Sequence, residues 1–290
     1  MTIVLPTLDE EEAIGRVIME LNQKGYHNIL VVDGYSKDKT QEVARRNGVK
    51  VVQQHGMGKS MAIKTAIEYV DTPFMLIMDG DCTYDACDIE RFLPHVEKYR
   101  EVIGARANGN NNVPRLNRLG NWMITKTFNF LFGTNLEDVC SGMYMLRSDF
   151  AKQLSLETGG FDIEVEIAAQ AAREGSITQV PINYRKRVGK QKLRSWRHGF
   201  QIMTTVWNLA RSYNPVFLFY IVSGILMVPA VVIMLRVLLE WLMTSVWLGQ
   251  WALLAAILVF LAAQAFVMST TAVLLKRMEK RVMEKLAKAS

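Results

Sequence analysis

The stretch that decides the fold is FMLIMDGD, Phe74–Asp81. Five large apolar residues run without a break and stop at a carboxylate, a glycine and a second carboxylate. A short apolar run bounded by a turn signal fits a strand buried on both faces. The carboxylates at its end fit turn residues, an acid/base pair or cation ligands, and the stretch alone leaves all three open. Asp85 and Asp88 follow directly and read as the start of a helix over 86–98, whose first turn favours acids.

Working outward, the same pattern repeats. TIVLP, NILVVD and VKVVQQ are apolar runs of strand length. Between them lie helical signals. EEEAIGRVIMELNQKG has its acids, Glu10–Glu12, in the first turn, places Ile14, Val17, Ile18 and Leu21 on one face and has Gly25 past its end, and SKDKTQEVARRNG has Ser36 or Asp38 as cap. GKSMAIKTAIEYV leads into the quoted strand. Apolar strands alternating with helices predict an α/β domain, a mostly parallel sheet of nucleotide-binding type with helices on both faces. EVIGAR, VCSGMYMLRSD and SITQVPINYRKR add further strand signals, and FDIEVEIAAQAAREG a further helix.

In open α/β sheets ligands bind beyond the carboxyl ends of the strands. The first four strands here end at Pro6-Thr7-Leu8-Asp9-Glu10, at Asp33-Gly34, at His55-Gly56-Met57-Gly58-Lys59 and at Asp79-Gly80-Asp81. One aspartate after a strand is ordinarily a turn residue; four polar ends on one edge predict a site. The glycine–lysine turn lacks the first glycine of a P-loop, which excludes an ATPase of that type.

The chain's 290 residues carry a net charge of +6, yet residues 181–211 alone hold eight Lys/Arg and no Asp/Glu. The basic segment leads into Val216–Leu235, which has no formal charge, and Val246–Leu275 is equally free of charge. About 20 such residues span a bilayer core. The expectation is a transmembrane hairpin over 213–275, with Arg236, Glu240 and Trp241 in the turn between its spans. An amphipathic helix on the bilayer surface is expected at 195–212, and a basic tail at 276–290. Basic flanks at both ends of the hairpin predict that the domain over 1–194 and both termini are cytoplasmic. Thr2–Leu5 runs into PTLDEEE with no basic segment before it, which argues against a signal peptide. Cys82, Cys87 and Cys140 have no metal-like spacing and read as free thiols. A basic patch abutting a membrane span favours phosphate-bearing lipid or substrate over nucleic acid. The hairpin also offers a surface for homo-oligomer formation.

Taken in order, PTLDE, VVDGYSKDKT, GMGK, DGD, SGMYML, FDIEVE and the basic run before the membrane helices resemble glycosyltransferase family 2. With the hairpin, the chain is similar to the polyprenyl-phosphate glycosyltransferases, such as dolichyl-phosphate mannose synthase and dolichyl-phosphate glucosyltransferase. The resemblance covers residues 2 to about 205. It implies the GT-A fold, a UDP- or GDP-sugar donor, a polyprenyl or dolichyl phosphate acceptor and a divalent cation, Mg²⁺ or Mn²⁺. Two places depart from the family pattern. Leu8 stands where an aromatic residue is common, and DGYSKDKT loses one aspartate and gains Tyr35.

The resemblance implies these roles. Asp79 and Asp81 would hold the metal, with Gly80 keeping the turn clear of the phosphates. Asp33 would bind the base, in a pocket with Pro6, Thr7, Asp9, Glu10 and Gly34. Gly58 and Lys59 would meet the nucleotide-sugar, and Arg106 joins them not by resemblance but by its place, ending EVIGAR on the same edge, as a phosphate partner. Arg115, Arg118 and Asn121 lie in the region that approaches the acceptor. The general base would be Asp162 or, next, Glu164. Asp162 and Glu166 share a helix face by spacing, which turns Glu164 elsewhere. Arg187, Lys190, Lys192 and Arg194 would grip the diphosphate, the acceptor phosphate or both. The expected reaction is single displacement, giving a β-linked lipid-phospho-sugar. A different acceptor (a glycolipid or a polysaccharide) and a non-catalytic membrane scaffold are the rival readings.

Overall fold

The computed structural model describes residues 1–108, 112–156, 163–189 and 215–289. The chain divides into two compact units, Met1–Val206 and Trp207–Ser290.

In the first unit the strands are β1 (Thr2–Thr7), β2 (Ile29–Asp33), β3 (Lys50–Gln53), β4 (Phe74–Ile77), β5 (Glu101–Asn108), β6 (Tyr144–Arg147) and β7 (Ile177–Asn183). They form one sheet in the order β3-β2-β1-β4-β6-β5-β7. Only β6 runs against the others, paired antiparallel to β4 on one side and β5 on the other. The fold is thus the mixed, mostly parallel α/β sheet that the alternating pattern predicts. Central strands β1 and β2 are buried almost throughout, which is why their sequences are continuous apolar runs rather than alternating ones.

Helices cover the sheet. They are α1 (Ile14–Gln23), α2 (Thr40–Arg46), α3 (Lys59–Tyr69), α4 (Arg115–Phe132), the single turn α5 (Ser148–Ala151) and α6 (Ile163–Arg173). The buried face of α1 is Ile14, Val17, Ile18 and Leu21, the face its spacing predicts. Each such fully buried aliphatic side chain contributes roughly 1.5–3 kcal/mol.

Two local expectations change. The acids Glu10–Glu12 precede α1 in a turn instead of occupying its first turn, because Glu10 and Glu11 are engaged with the α2 entry: their backbone N–H groups donate to Thr40 Oγ1 and Asp38 Oδ2. The helix expected over 86–98 is a 3-10 segment, Ala86–Arg91, followed by turns. Asp85 does cap it, accepting from Cys87 N at 2.9 Å, but Asp88 turns inward and accepts from Asn183 N at 2.7 Å. Tying Asp88 to β7 competes with extending the helix.

In the second unit α7 (Pro215–Thr244) and α8 (Gly249–Ala289) lie against each other. Phe219–Thr244 and Gly249–Thr271 are long and apolar enough to cross a membrane. Arg236, Glu240 and Trp241 are not in the turn between them. They extend α7, and the connection is Ser245–Leu248. The 276–290 segment likewise continues α8 as far as Ala289, in keeping with its Lys, Glu, Met and Leu content. The expected surface helix at 195–212 lies outside the described residues.

Candidate active site

The order β3-β2-β1-β4 means that the chain leaves β1 in one direction and returns to pair β4 on its other side. The crevice at such a switch point, beyond the strand carboxyl ends, is where open α/β sheets bind ligands. Asp79-Gly80-Asp81 enters it directly from β4. A Cβ on Gly80 would sit 2.8 Å from Thr7 Cγ2, so glycine here lets the turn close onto the end of β1. That is a packing reason, distinct from the phosphate clearance expected of it. Gly142, just before β6, is tighter still: its Cβ would fall 2.3 Å from Asp79 Oδ2. The reversal of β6 brings this residue to the same edge. Cys82 follows the two aspartates with φ 64°, a left-handed conformation that non-glycine residues adopt at a cost.

Each aspartate hands its charge to a different cation. Asp79 Oδ1 accepts from Lys59 Nζ at 2.7 Å, and Lys59 reaches on to Glu164 Oε1 at 2.6 Å. Asp81 Oδ2 pairs with Arg187 Nη1 at 3.0 Å, and Arg187 closes on Glu10 with its other nitrogen. Burial pulls the Lys59 ammonium down, but Asp79 and then Glu164 outweigh it and hold its pKa well above the ordinary value. Burial, with Asp79 next, raises the Asp81 carboxyl; Thr83 and Arg187 oppose it. Glu164 is also raised by burial, against the pull of Lys59. Through that contact with Lys59 its side chain reaches the site. Asp162 lies outside the described residues.

Asp33 is fully buried at the end of β2, in register with Thr7 of β1. Its Oδ2 accepts from Ser36 N at 3.0 Å and Gln41 Nε2 at 2.8 Å. Its Oδ1 and Thr7 Oγ1 are buried without a hydrogen-bond partner. Unsatisfied buried oxygens of this kind are costly and call for a donor. Asp9, at φ 47°, holds the neighbouring loop by accepting from Lys37 N at 2.7 Å, and its own N donates to Ser36 Oγ at 2.8 Å. Gly34 N donates to Thr7 O at 2.7 Å. The departing residues, Leu8 and Tyr35, are both exposed on these loops.

On the other side of the site a cleft of about 550 Å³ is lined by Arg106, Arg115, Arg118, Asn121, Trp122 and Asp138, among others. It unites four residues placed by sequence in two separate roles. Arg106 is bound in place: its Nη2 donates to Asp138 Oδ1 at 2.8 Å and its guanidinium lies 5.3 Å from the Tyr184 ring centre. Asp138, which sequence reasoning missed, is thus what aims Arg106. No motif flags it.

The segment after β7 straps the aspartate turn. Arg185 N donates to Thr83 O at 2.7 Å, and Val188 N to Asp81 O at 3.1 Å. Arg185 also pairs with Glu20 at 2.8 Å and with Asp85. Lys190, Lys192 and Arg194 lie outside the described residues. Beneath Glu164, the Tyr144 hydroxyl and Glu101 Oε2 are buried without a hydrogen-bond partner. Burial, with Glu164 next, pushes the Glu101 carboxyl far up. Cys82, Cys87 and Cys140 are free thiols.

Among the described residues no cluster of three or more His, Cys, Asp or Glu side chains could hold a metal by itself. Asp79 and Asp81 still suit a hard divalent cation, because Mg²⁺ sites commonly take one or two carboxylates and complete their shell with substrate phosphates and water.

The profile of glycosyl transferase family 2 matches residues 2–155. A Haloferax volcanii protein named glycosyltransferase AglJ is 35% identical over 84% of this chain and 83% of its own length. A dolichyl-phosphate hexose transferase of the same organism is 33% identical over 70% of this chain and 90% of its own. Among solved structures, glucosyl-3-phosphoglycerate synthase of Mycobacterium tuberculosis, in complex with Mn²⁺, UDP-glucose and phosphoglyceric acid, superposes with a TM-score of 0.58 at 20% identity. That match covers 72% of this chain and 78% of the other. It is a likeness of fold.

Proposed function

The chain belongs to glycosyl transferase family 2, and from that premise we propose a membrane-anchored, inverting enzyme. It moves a hexose or N-acetylhexosamine from a UDP- or GDP-sugar to a polyprenyl (dolichyl) phosphate at the cytoplasmic leaflet. The observation that carries this reading is the site's charge pattern. Two carboxylates stand at the switch point between cations Lys59 and Arg187, with an arginine-lined cleft beside them. Such a site can hold two phosphorylated substrates at once. The acceptor class is that named for one relative, and the apolar helices supply the anchor.

Each residue then has a task. Asp33 Oδ1 and Thr7 Oγ1 receive donors from the base and ribose, satisfying the two buried oxygens. Asp79 and Asp81 would hold Mg²⁺ or Mn²⁺. A divalent cation there neutralises charge that develops on a departing diphosphate. Lys59 fixes the Asp79 carboxylate and ties it to α6 through Glu164. Glu164 is committed to that pairing, so it positions Lys59 and does not abstract a proton. A phosphate monoester with its second pKa at ~6 reaches the site mostly as a dianion and needs little deprotonation. Asp162 is the residue left for any proton that remains. Arg115 and Arg118 face the acceptor phosphate, while Arg187, Lys190, Lys192 and Arg194 oppose the repulsion between the two phosphorylated substrates. Orientation and charge balance therefore carry the catalysis.

The test is purified protein with Mn²⁺, polyprenyl phosphate and a panel of radiolabelled sugar nucleotides. Formation of an acid-labile lipid-linked sugar from one donor is expected. No product from any donor, or transfer only to a glycolipid or polysaccharide, overturns the acceptor assignment.

A further inference from the structure

Strand β5 begins with a carboxyl on a buried, largely apolar face of the sheet. Antiparallel pairing sets Glu101 opposite Leu146 and Ile103 opposite Tyr144, so these four side chains share that face. Met75 and Ile77 of β4 join it opposite Leu146 and Tyr144. All six are buried, with Glu101 and Tyr144 each 1% exposed. Two polar groups on the face, Glu101 Oε2 and the Tyr144 hydroxyl, have no hydrogen-bond partner. An ionised carboxylate kept from water in this way is costly unless a cation meets it. The cation at hand is already shared: Lys59 Nζ holds Glu164 at 2.6 Å and Asp79 at 2.7 Å. The charged groups that bear on Glu101 and Tyr144 are Glu164 of α6, Lys59 of α3 and Asp79 beyond β4. Among the described residues, the carboxyls of Asp79, Glu164 and Glu101 thus surround one ammonium. Burial, with Glu164 next, holds the Glu101 carboxyl well above its ordinary value. An oxygen that faces no N–H or O–H donor is suited to carry the proton itself.

We propose that Glu101 is a positioning residue for the active site: it stands in the folded protein as a neutral acid, donates its proton in a hydrogen bond to the Glu164 carboxylate, and so steadies the Glu164–Lys59–Asp79 chain. It touches no substrate. Its effect passes through Glu164 to Lys59, and through Lys59 to the aspartate turn where the diphosphate is placed. Loss of the proton sets two buried negative charges side by side. That strains the Glu164 contact with Lys59 and loosens the hold on Asp79. The kinetic consequence rests on the proposed glycosyl transfer; the protonation of Glu101 does not.

The test uses the full chain in detergent. The infrared difference spectrum between the natural chain and Glu101→Gln at neutral pH is expected to show the carbonyl stretch of a protonated, buried carboxyl. A carboxylate signal in its place overturns the proposal, and this readout needs no substrate. In the transfer assay the natural chain should lose turnover severalfold as pH becomes alkaline, with KM for the acceptor unchanged. Glu101→Gln should keep its neutral-pH turnover across that range. Glu101→Leu, neutral but unable to donate, should turn over about tenfold more slowly than Glu101→Gln at every pH. Equal turnover of the Leu and Gln variants overturns the proposal, because the donated hydrogen bond then does nothing. An alkaline loss that survives in Glu101→Gln overturns it too. If the Leu variant does not fold, the infrared band and the alkaline limb decide. If no donor is turned over, the transfer reading fails separately and the infrared band alone decides this proposal.

Discussion

Two bridges cross the same site. Lys59 joins Asp79 to Glu164, and Arg187 joins Asp81 to Glu10. Each is a carboxylate, a cation and a buried glutamate, and the two aspartates are separated by one glycine. Their supports differ. Lys59 opens α3, Glu164 lies in the first turn of α6, and Asp79 is pressed by Gly142, so the first bridge is rooted in regular elements. Arg187 sits on the irregular strap after β7, with a side chain 30% exposed against 18% for Lys59. Glu10 lies in a turn. The lesson is that identical charge patterns serve different ends. A bridge rooted in two helices holds geometry, because breaking it strands the buried Glu164. A bridge carried by a half-buried strap also covers buried carboxylates, Asp81 and Glu10, but its cation lies outside any regular element and can turn toward a phosphate.

The largest expected effect tests the carboxylate of the second bridge, Asp81, in its metal role. Asp81→Asn should lower turnover by about 10³-fold, the scale of losing a charge-stabilising group at the reacting centre. Folding should persist, since Arg187 keeps Glu10. Wild-type rates with Mn²⁺ would remove Asp81 from the metal role.

Lys59→Met should destabilise the protein by roughly 3–5 kcal/mol, read as a fall in thermal midpoint in detergent, because Asp79 and Glu164 then face each other without a cation. Adding Glu164→Gln should recover part of that loss through direct coupling. A double variant no better than Lys59→Met would mean that Glu164 is not stabilised by Lys59.

Arg187→Gln should cost less than Lys59→Met, about 1–3 kcal/mol, because Gln keeps donors for the buried Asp81 and Glu10 carboxylates, while raising KM for donor or acceptor. Equal losses from Lys59→Met and Arg187→Gln would erase the contrast between the bridges.

The smallest effect is a pH dependence beneath the Lys59 bridge. The folded-state pKa of Glu101 is raised well above the ordinary 4.5, so its contribution to stability is complete below that value and is lost as pH rises from there through the folded value. Glu101→Gln should therefore match the natural chain below the ordinary carboxyl range and become the more stable of the two as pH rises toward neutrality and beyond. Parallel stability curves would place the Glu101 carboxyl outside the buried cluster.

Legibility followed range. β1 to β4 could be read because buried parallel strands are continuous apolar runs, and Asp33, Asp79 and Asp81 because they end such runs. The site's second half could not. Nothing in YMLR marks β6 as the reversed strand, and its reversal is what brings Gly142 against Asp79. Helical spacing placed Glu164 off the Asp162 face but named no partner for it, and only the docking of α6 brings it to Lys59. Arg106 read as a phosphate ligand from its place at a strand end, and only the fold supplies Asp138 as the partner that aims it.

The sequence by itself determined the α/β alternation, the two apolar helices and the acid-ended strands along one edge. These follow from periodicity and local turn chemistry, which act over a few residues. The tertiary structure decided which cation meets which carboxylate and which buried carboxyl, Glu101, meets none among the described residues. Those outcomes depend on strand order and helix docking, which bring distant residues within hydrogen-bond reach, and no local pattern encodes them.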